Sequence, residues 1–137
     1  MAISFQNQSV EFKLSEKIKI KSWIKTIIAS EKKEMGNLNF VFTSDEEILK
    51  TNVQYLQHNT YTDIITFDYC EGKKINGDII ISVERVKENA DKFETDFETE
   101  IKRVIIHGVL HLCGYKDKSE KDAKLMRSKE NAALKKY

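Results

Sequence analysis

HGVLHLCGYKD, residues 107–117, is the stretch from which the rest of the chain is read. His107 and His111 stand four apart in an apolar run, Gly114 closes the run, and Asp117 comes six residues after the second histidine. On a helix turning about 100° per residue, positions four apart differ by about 40°, so both rings leave one face, one turn apart. They can reach a single ion. Val104, Ile105, Ile106, Val109, Leu110 and Leu112 surround them with apolar side chains, which implies a buried helix. A buried polar group without a partner costs roughly 1–3 kcal/mol, so the two rings need either hydrogen bonds in the core or a ligand. Gly114 suits the left-handed position just past a helix end, and the reversal lets Tyr115, Lys116 and Asp117 double back towards the histidines. Two imidazoles and one carboxylate, with the remaining positions open to water, form a ligand set of catalytic zinc sites and of non-haem iron sites.

Two neighbours narrow the reading. Cys113 lies about 200° around the helix from His111 and reads as packing. Gly108 occupies the position at which helical zinc proteases of the HExxH type carry their general base, which weighs against peptide hydrolysis. Glycine inside a helix costs about 1 kcal/mol relative to alanine, so its presence points to close approach by another backbone or by substrate.

Working outward, Thr95 and Glu98 form a capping box that opens the histidine helix. Before it, Val83, Val86, Ala90 and Phe93 recur at helical spacing, and Ile64 to Tyr69 with Asp78 to Val83 read as a β-hairpin across a glycine-containing loop. At the N-terminal end, Ile3 to Phe12 alternates like a strand. A helix follows the start signal at Ser15, with Ile20, Trp23, Ile24, Ile27 and Ile28 on its apolar face. Leu38 to Phe42 reads as a buried strand. Ser44 and Glu47 form a capping box for a helix with Ile48, Leu49, Asn52, Val53 and Leu56 inward. A last helix begins near Ser119 and carries Ala123, Met126, Glu130, Ala133 and Tyr137 on one side. A parallel crossover followed by a hairpin predicts a mixed sheet covered by helices, class α+β.

The 137 residues suffice for one domain and are too few for two ordinary ones, and no proline, repeat or low-complexity tract marks a linker. Residues 1–137 are therefore expected to form a single domain. The longest apolar runs fall far short of the ~20 residues of a bilayer span, and no secretory signal is visible at the start. Two cysteines make a disulfide framework implausible and point to the cytoplasm. The net charge of +1 divides unevenly, with +4 over residues 1–33, −7 over 34–115 and +4 over 116–137. Basic ends can meet phosphate, although lysine on an amphipathic helix also serves as a solvated face.

HGVLHLCGY followed by Asp117 resembles the signature H-G-x-L-H-L-x-G-Y-D-H of the YbeY family of bacterial rRNA maturation factors. TDIITFDY, residues 62–69, is similar to the family's P-T-[DN]-V-L-S-F segment, and GDIIIS, residues 77–82, to its G-D-[IL]-x-I-S strand. The resemblance covers nearly the whole chain in order and spacing. It implies a zincin-like α+β fold with about four strands, and a zinc-dependent, single-strand-specific endoribonuclease. That activity would serve 16S rRNA 3′-end maturation and ribosome quality control. One Zn²⁺ per chain and rRNA with ribosomal subunits as partners follow; DNA and membranes are not expected partners. His107, His111 and Asp117 are then the metal ligands and, through the metal, the catalytic residues. Thr62, Asp63 and Lys116 are expected at the substrate, with Thr66 beside them, and turn and strand-edge chemistry is the competing role for Thr62, Asp63 and Thr66. Tyr55, Tyr61, Phe67 and Tyr69 are able to stack on bases but are expected in the core.

Three positions depart from the pattern. Asp117 stands where the family has its third ligand histidine, and a carboxylate can replace imidazole on zinc. Lys116 replaces an aspartate, and Leu56, after TNVQY, replaces an arginine. Lys116 or the basic C-terminal segment is expected to supply the missing positive charge. The loss of that arginine leaves open a second reading, a non-catalytic ribosome assembly factor with a structural zinc site.

Overall fold

The computed structural model describes residues 2–56 and 62–137, the side chains of Tyr55 and Leu56 excepted. The expectations for Tyr55, Tyr61 and Leu56 lie outside what is described.

Among the described residues, alternating apolar positions form four strands, β1 (Ile3–Asn7), β2 (Glu34–Thr43), β3 (Ile64–Asp68) and β4 (Lys74–Ser82), arranged in the sheet order β1-β2-β4-β3. β1 pairs parallel to β2 and β2 parallel to β4, with Phe40 opposite Ile79, while β3 returns antiparallel along β4 with Ile64 opposite Ile81. The sheet is mixed, and the fold is the α+β class that the crossover and hairpin signals imply. Leu38, Phe40, Phe42, Ile75, Ile79 and Ile81 are all buried, as the period-2 pattern requires. β1 ends at Asn7 instead of reaching Phe12. Ser9 takes a positive φ of 62° there, and the Asn7 amide donates to the Phe12 carbonyl at 2.6 Å, closing a turn where the alternation alone suggested strand.

Among the described residues there are five helices, α1 (Lys17–Ser30), α2 (Asp45–Leu56), α3 (Val83–Lys92), α4 (Phe97–Leu112) and α5 (Glu120–Lys135), the last packed on α4. Most starts follow capping chemistry at the expected positions, while α1 and α4 depart from them. Ser44, Ser82 and Ser119 accept from backbone N–H groups three residues on, as N-caps do. α4 is capped by Asp96, not Thr95, because the Asp96 carboxylate accepts from Thr99 N–H at 2.7 Å. Ser15 does not cap α1. Its hydroxyl donates to the Glu98 carboxylate, tying the entry of α1 to the first turn of α4, while Glu16 at the cap position is left-handed. α1 joins the core through Ile20, Ile24 and Ile28, and the indole of Trp23 donates to the Ala133 carbonyl of α5 at 2.8 Å. On α5, Met126, Glu130 and Ala133 face inward whereas Ala123 is exposed, so the buried side begins one turn later than the sequence pattern placed it.

α4 packs against β3 and β4 with most of its circumference buried, as its apolar sequence predicts. Gly108 makes this possible. A Cβ there would lie 3.0 Å from Ile64 Cδ1 and from Ile79 Cγ2, so the glycine admits two sheet side chains and not, as expected, a backbone or substrate. Among the described residues, no helix is long and apolar enough to cross a membrane.

Candidate metal centre and cleft

α4 presents Glu100, Arg103, His107 and His111 along one side at spacings of three and four residues, and all four line a cleft of about 830 Å³. β3 supplies the opposite wall with Ile64 and Thr66, preceded by Thr62 and Asp63; α5 contributes Arg127 and Glu130.

The two imidazoles sit with ring centroids 4.6 Å apart and nearly perpendicular. α4 ends at Leu112 in a Schellman motif. Gly114 N–H reaches the His111 carbonyl at 3.0 Å and Tyr115 N–H the Leu110 carbonyl at 3.1 Å, with Gly114 at φ 111°. The reversed chain is then pinned by Tyr115, whose hydroxyl donates to Glu31 at 2.6 Å. Asp117 consequently points back, its Oδ2 lying 3.3 Å from His107 Nε2 and 3.4 Å from His111 Nε2. One ligand atom from each of the three residues falls within 4.8 Å of the others. Such a triangle of two imidazole nitrogens and one carboxylate oxygen fits a divalent transition metal with open positions towards the cleft.

The orientation of His107 has a cause that the sequence pattern did not supply. Its Nδ1–H donates to Glu130 Oε2 at 2.6 Å, which fixes the tautomer and turns Nε2 towards Asp117. Burial pushes the His107 pKa down, but the hydrogen bond and charge of Glu130, with the charges of Asp117 and Asp63, overcome this and raise it. Burial likewise pushes Glu130 up, and the bond to His107 together with Arg103 and Arg127 brings it below the ordinary value. Arg103 pairs with Glu130 at 3.1 Å. Glu130 is only 5% exposed, and the sequence signal for it was a charged residue on the inward side of α5. Metal-binding histidines commonly carry such a carboxylate behind them.

The remaining expected residues divide. Thr62, Asp63 and Thr66 line the cleft. Burial raises the Asp63 carboxyl against the lowering effect of His107. Lys116 is exposed and lies off the cleft wall, which Lys118 lines instead. Cys113 stays out of the triangle, and burial pushes its thiol up to about 12, so it remains the packing thiol that its helix position indicates. Phe67 is half-buried, whereas Tyr69 is 57% exposed and does not pack in the core as expected.

A family model described as endoribonuclease YbeY matches residues 2–137. The chain belongs to the YbeY family. Among its YbeY relatives, the Flavobacterium psychrophilum protein named endoribonuclease YbeY is 53% identical over 133 residues, covering 97% of this chain and 94% of that protein. The Bacteroides fragilis endoribonuclease YbeY is 48% identical over 134 residues, covering 98% and 96%. Among solved structures, a solution structure from Thermotoga maritima superimposes with a TM-score of 0.69 at 30% identity, covering 98% of this chain and 87% of that one. The matched residues span the sheet, α4 and the reversed turn alike.

Proposed function

We propose that this YbeY-family chain is a zinc-dependent endoribonuclease that cleaves single-stranded RNA, acting in 16S rRNA 3′-end maturation and ribosome quality control in the cytoplasm, with rRNA and ribosomal subunits as its partners. The observation that carries the reading is the convergence of His107, His111 and Asp117 at the floor of an open cleft. The relatives' name supplies the reaction class. Residues 1–137 serve in this reading as one domain, since sheet, helices and cleft share the α4 core.

His107 and His111 would hold the ion through nitrogen and Asp117 through oxygen. The ion supplies polarisation of a phosphodiester oxygen and acidification of water at near-neutral pH. The chain's own groups do the rest. Glu130 holds His107 in the tautomer that leaves Nε2 free towards the triangle. Tyr115 and Glu31 anchor the turn that returns Asp117. Lys118 and Arg127, both on the cleft wall, provide positive charge for the RNA backbone in place of the arginine that Leu56 replaces. Thr62 and Asp63 face the same space and are assigned to substrate.

The test is cleavage of a single-stranded RNA by wild type and by His111→Ala, with folding of the variant checked by circular dichroism. Loss of cleavage in a folded His111→Ala protein that still binds RNA is expected. Equal cleavage by the two proteins would remove the metal site from the reaction.

A further inference from the structure

Two turns before His107, the cleft holds a group that the metal centre does not use. Glu100 is only 7% exposed, yet it lines the cleft. Among the described residues it accepts no hydrogen bond and forms no ion pair. The Arg103 guanidinium, whose charge acts on Glu100, is itself bonded to Glu130 at 3.1 Å. Burial raises its carboxyl against the attraction of the Arg103 and Arg127 charges, and a largely buried acid that accepts no side-chain hydrogen bond is costly unless a ligand supplies one. Its retention beside an open cleft indicates that its partner arrives from outside. Seven residues at 1.5 Å per residue separate it from His107, a distance of about 10 Å along α4. That is about three base steps at the ~3.4 Å per-strand rise of a duplex, and fewer for an extended strand.

The surroundings suit a flat heterocycle. Phe93, at the end of α3, lines the same cleft and is 59% exposed, although an aromatic ring is ordinarily withdrawn from water. Asn52 and Asn89 also line it, adding amide groups that both donate and accept. We infer that this part of the cleft is a nucleobase subsite selective for guanine, with Phe93 stacking on the ring and Glu100 accepting from its N1–H and N2–H. The selectivity follows from the pattern of donors. A carboxylate offers two adjacent acceptors, and guanine alone among the four RNA bases presents two adjacent donors on its pairing edge. Adenine and cytosine place an acceptor next to their amino group, and uracil has one N–H between two carbonyls. A site built on hydrogen bonds rejects bases that leave its buried group unmatched.

This inference deepens the ribonuclease reading and rests on it for the statement that the base belongs to RNA, but it is tested by binding. The probes are the 5′-monophosphates of guanosine, inosine, adenosine, cytidine and uridine, titrated into the full chain and followed by backbone amide NMR shifts. Guanosine monophosphate should bind about tenfold or more tightly than the adenosine, cytidine and uridine nucleotides, with shifts centred on α3 and the first half of α4. Inosine monophosphate, which lacks the N2 amino group, should fall between. Glu100→Gln should abolish the guanine advantage, and the exposed substitution Phe93→Ala should weaken all five by about tenfold while preserving their order. Equal affinities in wild type, preference for adenosine or cytidine, or a guanine advantage that survives Glu100→Gln would overturn the subsite. If Glu100→Gln does not fold, Phe93→Ala with the wild-type order decides the matter. Guanine-selective binding without RNA cleavage would retain the subsite and remove the ribonuclease reading. RNA cleavage by a protein without guanine selectivity would do the reverse.

Discussion

At the scale of single residues, the candidate metal triangle depends on side chains that differ greatly in how visible they are. His107 and His111 are local on one helix, and their spacing alone places both rings on one face. Asp117 was legible through the glycine that reverses the chain. Glu130 was not, because it lies 23 residues from His107 and meets it only when α5 folds back on α4; in the sequence it is one charge on an inward face. Its role predicts that Glu130→Gln, which keeps the shape but weakens the acceptor, lowers zinc affinity about 10–100-fold with the fold intact, as competition with a chromogenic chelator would show. An unchanged affinity would mean that the Glu130–His107 contact does not serve the metal. Asp117→His, which puts a third imidazole at that position, should retain zinc, and loss of the metal in a folded variant would count against the triangle. Gly108→Ala gains helix propensity but pushes a methyl to 3.0 Å from Ile64 and Ile79 in a packed core. Overpacking outweighs the gain, and a net loss of about 1 kcal/mol in thermal or denaturant unfolding is expected.

At the scale of elements, the type and order of helices and strands followed from hydrophobic period, while their ends did not. A serine before an apolar stripe is a start signal whether or not it caps. Ser15 instead bonds Glu98 on another helix, and Asp96 outcompetes Thr95 for the first turn of α4 because its carboxylate reaches Thr99 N–H. The end of α4 was readable, since a glycine at positive φ terminates a helix by a rule local to the chain. The element-scale prediction concerns that turn. Gly114→Ala places a Cβ on a residue at φ 111°, which should cost on the order of 1 kcal/mol and, by loosening the reversal, weaken zinc binding through Asp117. Calorimetric unfolding with and without zinc separates the two effects. A variant destabilised equally in both would show that the turn matters to the fold and not to the metal.

At the scale of the whole molecule, the fold brings one wall of the cleft from β3 and the other from α4, segments with 28 residues between them in sequence (69–96). The class was legible because crossover and hairpin signals are local. The cleft's lining was not, because it is a product of packing, which put Lys118 on the wall and left Lys116 outside. With positive segments at both ends, RNA affinity should fall as salt rises, log affinity decreasing against log salt by about 0.7 per phosphate contact with a single strand. A flat salt profile in fluorescence anisotropy would exclude backbone contacts as the basis of binding. The most direct measurement is the zinc content of the purified chain, prepared without chelator and analysed by elemental mass spectrometry beside a folded His107→Ala/His111→Ala variant. About one zinc per wild-type chain and none in the variant is the expected result. A wild-type chain without transition metal, or a variant that keeps it, would contradict the assignment of His107, His111 and Asp117 as the metal centre.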